Sequence, residues 1–129
     1  MNEHGKIPVQ VNSAPTPIGP YSQGVVTSGK LLFVSGQTPK NPRTGQMPQD
    51  FRAQAELCLQ NVKAIVESAG AAMADVVKVN AYLLDMGNFP VFNEVYAKYF
   101  AAPFPARTTV GAQLPGGSVQ VEIDAIVAL

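Results

Sequence analysis

The sequence predicts a single α+β domain in which two helices pack on one face of a β-sheet. Its length of 129 residues suits one domain. Two segments repeat apolar residues at spacings of three and four, which is the helical pattern, and five short segments have the composition or alternation of strands. In chain order these elements read ββαβαββ. Because strands occur in runs at both ends, this order favours one sheet covered by one helical layer.

The N-terminal part is predicted to contain a tail and then a hairpin. Residues 1–11 are expected to form a flexible tail, because prolines and polar residues leave no periodic pattern there, and residues 12–129 form the folded domain. Two β-prone runs follow, from Tyr21 to Val26 and from Lys30 to Ser35, with turn-forming residues 27–30 between them. This arrangement predicts a β-hairpin.

The first helix is predicted from Asp50, a good N-cap residue, to Ala69, where Gly70 supplies a left-handed stop. Cys58 falls within its apolar stripe, so we expect a small buried hydrophobe rather than a reactive thiolate. The stripe that should face the core consists of Ala55, Cys58, Leu59, Val62, Ile65, Val66 and Ala69.

The second helix is predicted from Asn88, as its cap, to about Phe100. Pro103 and Pro105 prevent any continuation, because proline lacks the backbone N–H that a helix interior needs. Its apolar stripe consists of Phe92, Val95, Tyr96 and Tyr99.

The remaining strands are predicted at residues 76–84, 107–113 and 119–127, with a turn at 114–118 before the last. The first of them alternates, with Val77, Val79, Ala81 and Leu83 on one face and Lys78, Asn80 and Tyr82 on the other. The last strand alternates in the same way and turns Gln120, Glu122 and Asp124 away from the core.

Composition excludes several classes of partner. Nine Lys plus Arg balance nine Asp plus Glu, so no global field attracts a nucleic-acid backbone or an anionic membrane. Charged residues make up only 14% of the chain, which predicts that apolar surface is hidden in a homo-oligomer. Cys58 and His4 are each the sole residue of their type, which excludes an internal disulfide and a Cys/His zinc site. No signal-peptide run or membrane-length apolar window is present, so a cytoplasmic location is expected.

Several familiar reaction centres are also absent from the sequence. A single histidine in the predicted tail cannot serve a Ser-His-Asp or Cys-His arrangement on the folded body. Neither a phosphate-binding loop nor a dinucleotide fingerprint occurs. What remains is a pair of charges in the C-terminal strands. Arg107 opens a strand after two prolines, where its planar guanidinium would form a rigid fork for a carboxylate, and Glu122 lies in mid-strand.

Five groups of residues form a pattern along the chain, and they are Ile18 to Gly24, Val34 to Gln37, Asn41 to Gly45, Gln60 to Lys63, and Pro105 to Arg107 with Val121 to Ile123. In their order and spacing they resemble the RidA/YjgF family of imine deaminases, over nearly the whole chain from about residue 12. The resemblance implies a chorismate-mutase-like α+β fold that forms a homotrimer, with ligand sites in the clefts between subunits. It also implies hydrolysis of enamines and 2-imino acids, such as those derived from 2-aminoacrylate, to 2-keto acids and ammonia, with no metal and no organic cofactor.

Carried onto this chain, the resemblance implies that Arg107 clamps the substrate carboxylate and that Glu122 positions or activates the attacking water. It implies that Tyr21 closes the pocket. Ser35 and Gly36 would line it from the second predicted strand, and Asn93 would lie near the ligand from the second helix.

One position departs from the family pattern. Many members carry a cysteine two residues after the arginine, where this chain has Thr109, so thiol-dependent behaviour is not expected here. The hydroxyl of Thr109 can still form a hydrogen bond with a ligand.

The same residues also fit other functions. A regulatory module that binds 2-keto acids or other small carboxylates without turnover would use the same Arg107. A specialised relative acting on aminoacrylate peracid or 2-aminomuconate would also fit. An RNA-cleaving activity is disfavoured by zero net charge and by only three arginines in the chain.

Overall fold

The computed structural model describes residues 5–129. Over this range the chain forms six strands, two α-helices and two short 3₁₀ turns at residues 73–75 and 86–88. The strands are β1 (Ile7–Val9), β2 (Gly24–Val26), β3 (Leu31–Gln37), β4 (Val76–Leu83), β5 (Ala106–Gly111) and β6 (Val121–Ala128), and the helices are α1 (Phe51–Ser68) and α2 (Phe89–Tyr99).

A four-stranded mixed sheet with the order β3-β6-β4-β5 forms the centre of the domain. Strand β6 runs antiparallel to both β3 and β4, whereas β4 and β5 are parallel. Both helices pack on one face, and the buried side chains of that face form one apolar cluster with them. The predicted α+β class and the predicted helical layer are therefore confirmed. The opposite face of the sheet, here called the outer face, carries no helix.

Helix α1 follows the prediction closely. The Asp50 carboxylate accepts a hydrogen bond from the backbone N–H of Ala53 at 3.0 Å, and Gly70 adopts a φ of +85° just after the helix. Most of the predicted stripe is buried, including Cys58, whose thiol donates to the Gln37 carbonyl at 3.0 Å. The expected burial of Cys58 is confirmed, and burial raises the pKa of its thiol.

Helix α2 also lies where it was predicted, with one difference at its start. Asn88 occupies the N-cap position, but its side chain forms no capping hydrogen bond. The 3₁₀ turn at 86–88 comes directly before it, and there the Asp85 carboxylate accepts from the N–H of Gly87 at 2.8 Å. Phe92, Val95 and Tyr96 are buried as predicted.

The predicted hairpin between residues 21–26 and 30–35 is wrong. Strand β2 pairs with β1, in a register that sets Val9 opposite Gly24, and β3 pairs with β6. The ladder between β3 and β6 extends from Leu31 to Gln37, and the Lys30 carbonyl also accepts from the N–H of Leu129 at 2.9 Å, so the start of β3 is already paired with the C-terminal strand. Strand β1 lies inside the expected flexible tail and departs from that expectation; residues 1–4 lie outside the described residues.

The β1–β2 ribbon reaches the far edge of the sheet. The N–H of Ser22 donates to the Pro105 carbonyl at 3.0 Å, and Ser22 bridges Ala106 in parallel at the start of β5. Residues 11–20, here called the strap, precede this contact. The Gln23 side-chain amide holds the strap, since its Oε1 accepts from the N–H of Val11 at 2.7 Å and its Nε2 donates to the Pro15 carbonyl at 2.7 Å.

The described helices include none that is both long enough and apolar enough to cross a lipid bilayer. On the outer face of the sheet, Phe33 is 68% exposed and Val110 is 43% exposed. Apolar side chains of this size on a bare sheet face are typical of a surface that a partner covers.

Candidate functional site

Arg107 lies at the start of β5 with its side chain directed towards the helices. Its backbone is in register with Val79 of β4, whose side chain is fully buried in the core, so the two residues share the helical face. Four aromatic rings surround the guanidinium. The distances from Arg107 Cζ to the ring centroids are 4.8 Å for Tyr96, 5.3 Å for Tyr21, 5.7 Å for Phe92 and 5.8 Å for Phe89.

This guanidinium has no anionic partner within the described residues. No Asp or Glu oxygen of residues 5–129 forms a salt bridge with it, and its Nη1 is buried without a hydrogen-bond partner there. Burial lowers the pKa of Arg107, because the charged form loses hydration that the rings replace only in part. Arg107 is only partly buried as a residue, but its buried Nη1 has lost hydration without gaining a partner, so a ligand that supplies an anionic oxygen there would be favoured.

Three further polar atoms beside this arginine are buried without a partner among the described residues. They are Asn93 Oδ1, Tyr96 Oη and Thr109 Oγ1. Asn93 and Tyr96 are three residues apart on α2 and therefore project from the same side of the helix. Thr109 follows Arg107 by two residues on β5, so both side chains leave the same face of the sheet. Arg107, Tyr21, Asn93, Tyr96 and Thr109 are here called the arginine cluster.

The strap covers the arginine cluster through Gly19. A Cβ atom on Gly19 would lie 3.4 Å from Arg107 Nη2 and 3.5 Å from Asn93 Nδ2, so the glycine backbone sits directly against both groups. The Tyr21 hydroxyl accepts from the N–H of Ile18 at 3.3 Å, which joins the ring to the strap. The absence of a side chain at residue 19 thus leaves the space beside the guanidinium free.

Glu122 lies elsewhere, on the outer face. It pairs with Tyr82 of β4, and a groove of about 350 Å³ runs past Gly36, Tyr82, Glu122 and Asp124. Asp124 accepts hydrogen bonds from Asn80 Nδ2 at 2.9 Å and from the Tyr82 hydroxyl at 3.1 Å. The Glu122 carboxylate forms no hydrogen bond with the described residues and remains available at the groove.

A β-bulge brings Gly36 against Glu122. Val34 pairs with Ala125 and Gln37 pairs with Ile123, so two residues of β3, Ser35 and Gly36, stand opposite one residue of β6. A Cβ atom on Gly36 would overlap Glu122 Oε2 and lie 3.0 Å from its Cδ. Only glycine allows the carboxylate to pack against the strand here.

The structure therefore divides the predicted site residues into two groups. Arg107, Tyr21, Asn93 and Thr109 meet on the helical face, whereas Glu122 and the Ser35–Gly36 bulge lie on the outer face. Within one chain these groups do not form a single site.

Sequence reasoning missed Phe89, Phe92 and Tyr96 as neighbours of Arg107, and it missed Gly19 as the covering residue. The helical spacing of residues 89, 92 and 96 could have indicated that these three rings, on one side of α2, contact the same side chain. A glycine between Ile18 and Pro20 could have marked a close approach of the backbone.

Comparison with known proteins shows similarity to one family over nearly the whole chain. The family model described as "Endoribonuclease L-PSP" matches residues 11–129. A 2-iminobutanoate/2-iminopropanoate deaminase of Dermatophagoides farinae is 47% identical over 118 residues, covering 90% of this chain and 91% of the relative. The protein with that name in Escherichia coli K12 is 45% identical over 122 residues, covering 92% and 94%.

A solved structure, E. coli TdcF with bound serine, aligns with a TM-score of 0.74 at 41% identity and covers 96% of this chain and 98% of that one. Names of this kind among close relatives support imine deaminase activity in general terms. The chain belongs to the RidA/YjgF family.

Proposed function

We propose that this protein is an imine deaminase that hydrolyses 2-imino acids, including those formed from 2-aminoacrylate, to 2-keto acids and ammonia. One observation carries the proposal. Arg107 is a partly buried guanidinium whose Nη1 is buried without a partner, and it has no carboxylate partner within residues 5–129. Such a group favours an anionic ligand of small size, and the planar carboxylate of a 2-imino acid fits the guanidinium fork.

Carboxylate binding is the first step of the proposed reaction. The aromatic rings of Tyr21 and Tyr96 cover part of the guanidinium and shield that part from water, which strengthens its attraction for an anion. Two parallel hydrogen bonds to Arg107 would fix the plane of the carboxylate and therefore the position of the neighbouring imine carbon. The bound serine in the related TdcF structure supports a small carboxylic acid as the ligand.

The water-activating group is proposed to come from a second copy of the chain. Glu122 lies on the face of the sheet opposite to Arg107, so a second subunit must supply it if both act on one substrate. The bare outer face, with Phe33 68% exposed, supports an interface there. We propose the homotrimer that the family resemblance implies, with each site built by two neighbouring subunits.

The chemistry requires only proton transfer and water. An enamine first tautomerises to the imine, which is protonated to an iminium ion. Glu122 accepts a proton from water while the water oxygen forms a bond to the iminium carbon, which gives a carbinolamine. Glu122 returns that proton to the nitrogen, and as ammonia leaves, the carbinolamine hydroxyl gives its proton back to the Glu122 carboxylate while the carbonyl double bond forms. A positioned base contributes on the order of 10² to 10⁴ in rate, which suffices for a substrate that already reacts with water unaided.

The test uses imines generated in place by an amino-acid oxidase, with ammonia and keto-acid release as readouts. We expect the wild-type protein to accelerate release and Arg107→Ala to abolish the acceleration while remaining folded. Arg52→Ala is the matched control, because Arg52 is an exposed arginine whose partner is Glu94 on the helix surface. Retained activity in Arg107→Ala would contradict the carboxylate clamp.

The same experiment separates the alternatives. A wild-type protein that binds 2-keto acids but does not accelerate release would be a carboxylate-binding module. A panel of imines with different side chains would reveal specialisation towards one substrate.

The family description "Endoribonuclease L-PSP" calls for a parallel RNA-cleavage assay, in which we expect no activity because the chain has zero net charge and three arginines. A cytoplasmic location remains part of the proposal.

A further inference from the structure

The hydroxyl of Tyr96 is a polar group that packing does not explain. The Tyr96 ring is fully buried between two phenylalanines, stacked on Phe100 at a centroid distance of 4.4 Å and tilted against Phe92 at 5.6 Å. A buried tyrosine hydroxyl normally has a hydrogen-bond partner. This one has none among the described residues, so a phenylalanine would fill the same space at lower cost.

The surroundings of Tyr96 indicate what its hydroxyl is suited to bind. Among the aromatic rings of the described residues, this ring lies nearest the Arg107 guanidinium, at 4.8 Å. Burial raises the pKa of Tyr96 and outweighs the opposing effect of the Arg107 charge, so the hydroxyl keeps its proton. It is therefore a neutral hydrogen-bond donor beside a partly buried cation that has no anionic partner among residues 5–129.

We propose that the Tyr96 hydroxyl is a further ligand-contacting group, which donates a hydrogen bond to the carboxylate held by Arg107. Arg107 alone uses two of the lone-pair positions of a carboxylate, and a third donor from α2 occupies another. This inference rests on the proposed function only in taking a carboxylate as the ligand of Arg107. It assigns no proton transfer to Tyr96.

The experiment measures the binding of butanoate and 2-oxobutanoate by calorimetry to the wild-type protein, Tyr96→Phe and Tyr99→Phe. The two acids differ only at the second carbon, so they separate contacts to the carboxylate from contacts to the keto group. Tyr99→Phe is the matched control, because Tyr99 lies one turn further along α2 and its hydroxyl donates to Glu56 at 2.8 Å instead. The thermal midpoint of each ligand-free protein is measured in parallel.

We expect Tyr96→Phe to raise the Kd of both acids by the same factor, about tenfold, because hydrogen bonds to charged groups are among the stronger ones. Tyr99→Phe should bind both acids as the wild type does. The ligand-free Tyr96→Phe protein should unfold at the same or a higher temperature, because it lacks a buried unpartnered hydroxyl.

Three results would overturn the inference. They are unchanged binding of both acids by Tyr96→Phe, weaker binding of 2-oxobutanoate alone, and a lowered midpoint of the ligand-free variant, which would reveal a structural partner. If the wild-type protein binds neither acid, this inference and the proposed function fall together. If it binds both acids with the expected effect of Tyr96→Phe but does not hydrolyse imines, only the proposed function fails.

Discussion

Arg107 and Glu122 lie on opposite faces of one β-sheet, although only β4 separates their strands. Arg107 shares the helical face with Val79, and Glu122 shares the outer face with Tyr82. Since side chains alternate strictly along a strand, no rotamer brings the two groups to one substrate within a chain. If both act in one reaction, the active site requires two copies of the protein.

The backbone of Gly19 controls the space beside the Arg107 guanidinium. In Gly19→Ala the added methyl group would lie 3.4 Å from Arg107 Nη2, where a bound carboxylate oxygen would otherwise sit. We expect KM to rise by roughly tenfold, which corresponds to about 1.4 kcal/mol, with little change in the free energy of unfolding. Steady-state kinetics and thermal unfolding measure the two effects.

The control for Gly19→Ala is Gly117→Ala, because a Cβ atom on Gly117 meets nothing within 4 Å. Equal KM values for wild type and Gly19→Ala would show that the ligand does not occupy the space next to Nη2.

The bulge at Gly36 determines where the Glu122 carboxylate lies. In Gly36→Ala the new methyl group overlaps Glu122 Oε2, so the carboxylate must move away from the strand. We expect kcat to fall by on the order of 10² if Glu122 acts as the general base. The binding of 2-oxobutanoate, measured by calorimetry on the same variant, tests whether the Arg107 side of the site remains intact. A variant that retains full kcat would contradict a role for a precisely positioned Glu122.

The contact between the two helices predicts an acid-sensitive part of the stability. Hydrogen bonds from Lys98 and Tyr99 hold the pKa of Glu56 below its usual value. A carboxyl group whose pKa is lowered on folding stabilises the protein above its unfolded pKa of about 4.3. That stabilisation is lost as the pH falls through the folded pKa.

Glu56→Gln should therefore lose less stability than wild type between about pH 6 and pH 3. The difference should stay below about 1 kcal/mol, because the Lys98–Glu56 pair is partly exposed and screened by solvent. Urea unfolding across this pH range measures the free energy of unfolding of both proteins. If that free energy falls with pH by the same amount in wild type and Glu56→Gln, the prediction is contradicted.

The sequence allowed the helices and the central strands to be predicted because their signals are local. The cap at Asp50, the stop at Gly70 and the apolar stripes act within a few residues. The pairing of β2 depends instead on which distant strand is available, so the local turn at residues 27–30 predicted the wrong partner. Burial of Cys58 followed from its stripe alone.

The residues of the candidate site were predictable only as far as their chemistry is unusual for their position. An arginine at the start of a strand is unusual enough to predict a functional role for Arg107. The alternation of β6 also predicts correctly that Glu122 lies away from the core. The face occupied by Arg107 could not be predicted, because it depends on the register between β4 and β5. The helical spacing predicts Tyr96 as a core residue, and its ring is one; only the unpartnered hydroxyl distinguishes it.

Complementation between two inactive variants tests the shared site most directly. Arg107→Ala lacks the proposed clamp and Glu122→Gln lacks the proposed base, and each homo-oligomer should be inactive in the imine assay. After the two proteins are unfolded together and refolded in equal amounts, random assembly pairs an intact Arg107 with an intact Glu122 in about a quarter of the sites. We predict that about a quarter of the wild-type activity returns. No recovery from a mixture that forms hetero-oligomers would contradict a site built from two subunits.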